Sequence, residues 1–264
     1  MMTIEKQIAL VTGATGAIGR AIARGIAAQP GYEVVLLARD RAKAERAVSG
    51  IRRETGNEQV RYLLADLSRK AEIEALAAAW EGPLHVLVNN AGTTPRRREE
   101  TPEGIERQFA TNVLGYFWMT RAFTPILTQS APARVVNVAS YYAGGLDLDD
   151  LEFERRRYDN NAAYRQSKQA NRMLAVAFAE RLAPHDVAVN VCHPGDVNST
   201  LSNNLGFGGS QTPEEGADTP VWLATTPAGQ KNSGTYFANR QAKPDPFARD
   251  HEAIETLYQI CLKY

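Results

Sequence analysis

A tyrosine and a lysine four residues apart are the most informative pair in this sequence of 264 residues. Tyr164 and Lys168 lie in a stretch with helical periodicity, so both side chains fall on one face of a helix. An ammonium group beside a phenol favours the phenolate and lowers the tyrosine pKa from its usual value of about 10. A tyrosine of this kind can exchange a proton with a carbonyl or an alcohol near neutral pH. We therefore expect Lys168 to lower the pKa of Tyr164.

A glycine-rich turn follows the first predicted strand. Gly13, Gly16 and Gly19 lie where that strand passes into the first predicted helix. Glycines at this position permit a tight turn and close approach of the backbone to a pyrophosphate, and N–H groups at the helix start meet the phosphate charge. The turn therefore predicts a dinucleotide site; the alternative is a glycine-rich turn without a ligand.

The end of the second predicted strand bears on the choice of cofactor. Ala38 occupies the tip of the strand, and Arg39 follows it. An acidic side chain at this point usually holds the ribose 2′-OH of NAD, whereas an arginine accommodates the 2′-phosphate of NADP. The sequence therefore favours NADP(H). If Asp40 rather than Ala38 reached the ribose, NAD would be preferred.

Apolar strands alternate with amphipathic helices along the chain, which predicts an α/β fold. We expect a Rossmann-type doubly wound parallel sheet of about seven strands with helices on both faces. The predicted strands cover about 8–12, 34–38, 60–65, 84–89, 134–139, 187–192 and 234–238. The predicted helices cover about 17–28, 41–55, 71–80, 102–127, 162–182, 214–224 and 248–262.

The chain is predicted to be a single domain over 1–264 with one irregular segment. Residues 198–219 are rich in Ser, Asn, Gly and Thr, which is typical of a mobile loop. Because this segment follows Pro194-Gly195, we expect it to be a lid over the substrate. Tyr116, Phe117 and Trp118 are expected to pack in the core.

Composition argues against several classes of function. Lys plus Arg and Asp plus Glu both number 30, so no bulk charge indicates a nucleic-acid partner. Only Cys192 and Cys261 are present, which fits a reducing compartment, and the four histidines show no metal-ligand spacing. No apolar run approaches the ~20 residues of a membrane span, and Met1 to Gln7 lack the apolar region of a signal peptide. We expect a cytoplasmic protein without a metal.

Several motifs occur together in one order along the chain. They are Gly13 to Gly19, Asn89-Asn90-Ala91-Gly92, Asn112, Ser140, Tyr164, Lys168 and Pro194-Gly195. On these motifs the chain resembles the short-chain dehydrogenase/reductase family nearly end to end. It resembles the retinol-dehydrogenase-like branch most closely, through segments 84–92, 111–117, 164–171, 193–195 and 234–237 and the long separation between Ser140 and Tyr164.

The resemblance implies a role for each of these residues. Tyr164 would be the general acid in reduction and the general base in oxidation, and Lys168 would also hold the nicotinamide ribose. Ser140 would donate a hydrogen bond to the substrate oxygen. Asn112 would hold a water that links Lys168 to solvent, or could simply bridge backbone groups. The residues expected to bind NADP(H) are Gly13, Thr15, Ala17, Ile18, Gly19, Arg39, Asp66, Leu67, Asn89, Ala91, Gly92, Tyr164, Lys168, Pro194, Gly195, Val197 and Thr200.

The leading hypothesis is an NADP(H)-dependent carbonyl reductase (a ketoreductase) or alcohol dehydrogenase that acts on an apolar or ring-bearing small molecule. Tyr141 and Tyr142, just beyond Ser140, are expected to form a wall of the substrate site, and His193 is expected to be structural. A homodimer or homotetramer could form through helices 102–127 and 162–182, unless the extra residues before Tyr164 cover that surface.

Two alternatives remain open from the sequence. Ala17 replaces the middle glycine of the TGxxxGxG pattern of the short family members, while Gly13, Gly16 and Gly19 also satisfy TGxxGxxG of the extended members. That pattern supports an extended-type epimerase or dehydratase, which the short length and Asn-Asn-Ala-Gly oppose. The other alternative is a non-catalytic NADP-sensing binding protein on the same fold.

Overall fold

The computed structural model describes residues 6–264. The prediction about a signal peptide falls mainly on residues 1–5, which lie outside this range. Within the described residues, the strands are β1 (Gln7–Thr12), β2 (Tyr32–Ala38), β3 (Val60–Leu64), β4 (Val86–Asn89), β5 (Ala133–Val138), β6 (Val187–His193), β7 (Tyr236–Ala238) and β8 (Gln241–Lys243).

The helices surround these strands on both faces. No helix within residues 6–264 combines the length and the hydropathy needed to cross a bilayer. The α-helices are α1 (Ala17–Ala27), α2 (Arg41–Thr55), α3 (Lys70–Ala78), α4 (Gly115–Gln129), α5 (Asn160–Leu182), α6 (Thr200–Asn204), α7 (Pro213–Thr225), α8 (Pro227–Lys231) and α9 (His251–Lys263).

All eight strands belong to one sheet, in the order β3-β2-β1-β4-β5-β6-β7-β8. The first seven strands are parallel, which confirms the predicted doubly wound fold, and β8 pairs antiparallel with β7. The sequence did not indicate β8, because its three residues are exposed and carry no apolar alternation. The chain reverses its direction of winding between β1 and β4, and ligands of such sheets bind outside the strand ends at this point.

The core consists of two apolar clusters, one on each face of the sheet. Successive residues of a strand point to opposite faces, so that Leu10 packs in one cluster and Val11 in the other. As predicted, Tyr116, Phe117 and Trp118 are buried. Cys192 and Cys261 are both buried and free.

The prediction of one helix over 102–127 is wrong at its start. Residues 109–114 (Phe109–Leu114) are π-helical, and α4 follows at Gly115. The buried Glu106 carboxylate accepts hydrogen bonds from the backbone N–H groups of Gln108 at 2.8 Å and Phe109 at 2.7 Å. This carboxylate caps the helix there, so residues 102–105 remain outside it.

The prediction of a mobile loop over 198–219, which overlapped the helix predicted at 214–224, is wrong in part. Helix α6 lies within this segment and was not predicted, whereas the predicted helix is present as α7, which begins at Pro213. Ser199 caps α6 and Thr212 caps α7, each with a reciprocal side-chain contact from the residue three positions later, Ser202 and Glu215. These capping boxes fix the helix starts, so the irregular part is confined to about 205–212.

Helix α5 is covered on nearly every side by the rest of the chain. Helix α9 packs against it through Tyr258, whose ring lies 5.4 Å from that of Phe178. On another side, the backbone of the segment before the helix bonds to it: Gln166 donates to the carbonyl of Leu151 at 2.9 Å. This burial holds in place the helix that carries Tyr164 and Lys168.

Candidate active site

A cavity of about 340 Å³ opens at the carboxyl ends of β1, β2 and β4. Its wall brings together most of the predicted cofactor residues: Gly13, Thr15, Ala17, Ile18, Gly19, Arg39, Asp66, Leu67, Ala91, Gly92 and Thr200. We call it the dinucleotide cavity, after the ligand that its turn predicts.

Other residues of this wall were not predicted as contacts. Some of them are sequence neighbours of a predicted motif and could have been found by extending that motif. The residues on or next to α6 were missed because their segment was interpreted as a loop. They are Gly16, Leu37, Ala38, Ala65, Asn90, Thr93, Thr94, Thr111, Ser199, Leu201 and Asn204.

The turn between β1 and α1 requires glycine at two positions. Gly13 has a φ of +63°, and a Cβ there would lie 2.7 Å from the Cα of Ala91. A Cβ on Gly19 would lie 2.3 Å from the carbonyl oxygen of Gly13. The N-cap of α1, Gly16, provides no side-chain cap, so the N–H groups of the first turn stay available to an anion. These features fit the pyrophosphate of a dinucleotide.

The end of β2 places one cation on the cavity wall. Arg39 lines the cavity and forms an exposed ion pair with Asp66 at 3.7 Å. Asp40 has a different role, because it is the N-cap of α2 and accepts a hydrogen bond from the backbone N–H of Lys43 at 2.9 Å. In the sequence, the choice between NADP and NAD depended on Arg39 and Asp40. The structure gives these two side chains different positions, since Arg39 lines the cavity and Asp40 caps a helix.

A second, smaller cavity of about 80 Å³ adjoins the first and shares Ile18, Ser199 and Leu201 with it. We call it the aromatic cavity. Its wall contains the predicted Ser140, Tyr141, Tyr142, Tyr164, Pro194, Gly195 and Val197, and also His193, Asp196, Ser202, Leu205 and Phe207.

Aromatic rings form one side of this second cavity. The ring of Tyr142 stacks on that of Tyr164 with centroids 6.4 Å apart, and Phe207 meets Tyr142 edge-on at 5.2 Å. Tyr141 packs edge-on against His193 at 4.7 Å. Phe207 was missed because nothing in the sequence links it to Tyr142, from which it is 65 positions distant.

The pKa of Tyr164 is shifted in the direction opposite to the one expected. Burial raises it to about 12, although a hydrogen bond with Ser140 opposes the shift. The expectation of a lowered pKa is therefore wrong. Burial also lowers the pKa of Lys168 to about 8, which weakens the cationic influence on the phenol. Desolvation is the largest cause of both shifts: it outweighs the hydrogen bond with Ser140 at Tyr164 and the charge of Cys192 at Lys168.

Lys168 lies behind the cavity walls rather than on them. Its Nζ donates a hydrogen bond to the carbonyl oxygen of Val138 at 3.0 Å and lies 5.6 Å from the centroid of the Tyr164 ring. The helical spacing of the two side chains thus brings them together as predicted. The ammonium group is directed to the end of β5 in this arrangement.

Asn112 and Asn89 also lie beneath the surface of the site. Asn112 accepts from the backbone N–H of Thr93 at 2.8 Å and donates to the hydroxyl of Ser167 at 3.3 Å, which ties the cavity wall to α5. Asn89 donates to the Asn137 side chain at 2.9 Å and is fully buried, so it supports the wall without lining it. Its neighbour Asn90 takes the place on the wall that was predicted for Asn89.

Comparison with known proteins gives consistent similarities. The family described as short chain dehydrogenase matches residues 7–207. Human retinol dehydrogenase 13 is 35% identical over 277 residues, which cover 97% of this chain and 83% of the relative. Mouse polyprenol dehydrogenase is 35% identical over 275 residues, with 96% and 82% covered.

Solved structures show the same similarity. An uncharacterised protein from Mycobacterium paratuberculosis has a TM-score of 0.81 and 27% identity, with 98% of this chain and 94% of the other covered. The Pseudomonas aeruginosa RhlG/NADP active-site complex has a TM-score of 0.71 and 28% identity, with 89% and 94% covered.

Proposed function

The chain belongs to the short-chain dehydrogenase/reductase family of NAD(P)(H)-dependent oxidoreductases, in its retinol-dehydrogenase-like branch, and from this premise we propose a specific activity. The protein is an NADP(H)-dependent carbonyl reductase or alcohol dehydrogenase that acts on an apolar or ring-bearing small molecule. One observation carries the proposal: Ser140 and Tyr164 line the aromatic cavity, which shares part of its wall with the dinucleotide cavity.

The preference for NADP(H) is supported by the end of β2. Arg39 lines the dinucleotide cavity next to the small side chain of Ala38, which leaves room for a 2′-phosphate. Asp40, the residue that could have favoured NAD, is engaged as the cap of α2. RhlG, a structural relative, is described in complex with NADP.

The reaction uses a proton donor that the structure keeps neutral. When bound, the reduced nicotinamide cofactor supplies a hydride. Because burial raises the pKa of Tyr164 to about 12, its phenol is protonated at neutral pH and can donate that proton to a carbonyl oxygen. Ser140 donates a hydrogen bond to the same oxygen as negative charge develops on it. The ammonium of Lys168 stabilises the phenolate that remains.

The wall of the aromatic cavity supports the proposed substrate class. Tyr142 and Phe207 meet edge-on there, and Leu205 lines the same cavity. Apolar and aromatic surfaces of this kind gain free energy by covering an apolar group and exclude water from the reacting oxygen. A ring-bearing or hydrocarbon substituent on the carbonyl carbon would fill this space.

Titration of both cofactors tests the proposed preference. We expect Arg39→Ala to weaken NADPH binding ~10-fold or more and to leave NADH binding unchanged, because a charge-assisted contact contributes ~1.5–3 kcal/mol. The matched control is Arg41→Ala, since Arg41 bonds to the Tyr62 hydroxyl and lies off the cavity wall. Equal or tighter binding of NADH by the wild type would contradict the NADP(H) assignment.

The reaction itself is tested with a panel of ketones and the matching alcohols, from linear to ring-bearing. Loss of NADPH absorbance with the apolar, ring-bearing ketones is the expected result. Conversion of a sugar nucleotide without net consumption of cofactor would indicate the epimerase or dehydratase alternative. Tight cofactor binding without turnover of any compound would indicate the sensor.

A further inference from the structure

The carbonyl oxygen of Val138 accepts hydrogen bonds from two buried side chains. Lys168 donates to it at 3.0 Å, and the hydroxyl of Tyr116 donates to it at 3.2 Å. Val138 is the last residue of β5, and the pairing of β5 with β4 ends one residue earlier, at Asn89 and Asn137. Lys168 and Tyr116 therefore supply hydrogen bonds to this carbonyl just beyond the end of the ladder between β4 and β5.

A buried carbonyl group is costly to leave without a partner. Lys168 lines neither cavity, so its ammonium group must move away from Val138 to reach a ligand there. If Lys168 were the only donor, this movement would leave the Val138 carbonyl unpaired. The Tyr116 hydroxyl removes that penalty, because it can hold the carbonyl in both arrangements.

We propose that Tyr116 is a positioning residue for Lys168: by holding the Val138 carbonyl, its hydroxyl allows the ammonium group to turn towards the nicotinamide ribose. The inference rests on the proposed function. It assigns to Tyr116 a part in cofactor binding beyond the core packing that its sequence context predicts, without contact between Tyr116 and the cofactor.

Two further observations fit this role. The ammonium group of Lys168 lies within cation–π distance of two aromatic rings, 5.5 Å from the centroid of Tyr116 and 5.6 Å from that of Tyr164, so Tyr116 is next to the group that it would position. Burial also holds the pKa of Tyr116 well above its ordinary value. Its phenol therefore stays a hydrogen-bond donor throughout the working pH range.

The substitution Tyr116→Phe keeps the ring and removes only the hydroxyl. We expect the variant to bind NADPH about 10-fold more weakly in a direct titration, equivalent to about 1.4 kcal/mol. Tyr32→Phe is the matched control, because it also removes a hydroxyl that donates to a backbone carbonyl, that of Ala224, and Tyr32 lies at the start of β2, on the wall of neither cavity. The control should bind NADPH as the wild type does.

A double-mutant cycle separates positioning from a merely structural role. In a Lys168→Met background no ammonium group has to move, so adding Tyr116→Phe should lower thermal stability without weakening NADPH binding further. The same loss of affinity in both backgrounds would show a structural effect and overturn the inference, as would unchanged affinity in Tyr116→Phe alone. If the wild type bound neither NADPH nor NADH, the proposed function would be overturned together with this inference.

Discussion

The two adjoining cavities differ in whether main chain or side chains form the surface that would contact a ligand. The dinucleotide cavity depends on main chain brought close by Gly13 and Gly19, with an exposed cation at its edge. The aromatic cavity depends on buried side chains whose pKa values are moved by desolvation, above all Tyr164. Substitutions should therefore act through steric fit in the first cavity and through proton transfer in the second.

The largest expected effect is on proton transfer. Tyr164→Phe keeps the ring that stacks on Tyr142 and removes the proton donor. We expect turnover to fall ~10²-fold or more while the Kd for NADPH stays nearly unchanged. Steady-state kinetics on a verified substrate and a cofactor titration measure the two quantities. A variant that keeps more than a tenth of the wild-type turnover would contradict the assignment of Tyr164 as the proton donor and end the distinction between the cavities.

A steric effect of intermediate size is expected at the turn of the dinucleotide cavity. Gly19→Ala would place a methyl group 2.3 Å from the Gly13 carbonyl oxygen, and 2.5 Å from the side-chain nitrogen of Asn90. We expect a loss of ~1–3 kcal/mol in the free energy of unfolding, measured by denaturant titration, because backbone must shift to admit the methyl group.

Gly16→Ala is the matched control for that turn. Its methyl group would meet only the Gly13 carbonyl oxygen, at an ordinary 3.4 Å, and Gly16 has a φ of −80° that alanine adopts freely. The control should lose clearly less stability than Gly19→Ala, because only the weaker preference for alanine at an N-cap acts on it. Equal losses in the two variants would show that close approach of the main chain is not what the turn requires.

The smallest expected effect is local and concerns the segment 199–210, which borders both cavities. Ser199 and Leu201 lie on both walls, and the segment is closed at its base by a bridge between Val197 and Gln211. We expect amides of residues 199–210 to exchange fast in the free protein and to become protected when NADPH and substrate are both bound. Hydrogen exchange followed by mass spectrometry measures this change, with β5 as an internal reference. Identical exchange with and without both ligands would make the segment a passive connection.

The sequence predicted about half of the wall of each cavity, and the contacts that it missed differ in kind. Glycines and a strand-end arginine act through local backbone geometry, so the type and spacing of these residues are enough to place them. The aromatic wall joins Tyr142 to Phe207 across the fold, and no local pattern encodes that contact. The pKa of Tyr164 was misjudged for the same reason: the sequence shows its neighbour Lys168 but not how much water the fold removes from both.

The same contrast holds for the secondary structure. Strands and helices with strong apolar periodicity were predicted within a few residues of their ends. The π-helical segment was not, because it depends on the carboxylate of Glu106 and on the contact of Asn112 with Thr93. Tyr116 shows what the sequence does and does not predict. Its burial follows from its apolar neighbours, whereas the hydrogen bond of its hydroxyl to Val138 is visible only in three dimensions.

The enclosure of α5 has a consequence for assembly. Tyr258 of α9 contacts both Phe117 on α4 and Phe178 on α5, and the segment that contains Leu151 covers another side of α5. A second copy of the chain could reach the faces that these side chains cover only by displacing them. Helix α9 thus shields the helix that carries Tyr164 and Lys168. That shield is covalently attached and therefore independent of protein concentration, unlike a subunit that dissociates on dilution.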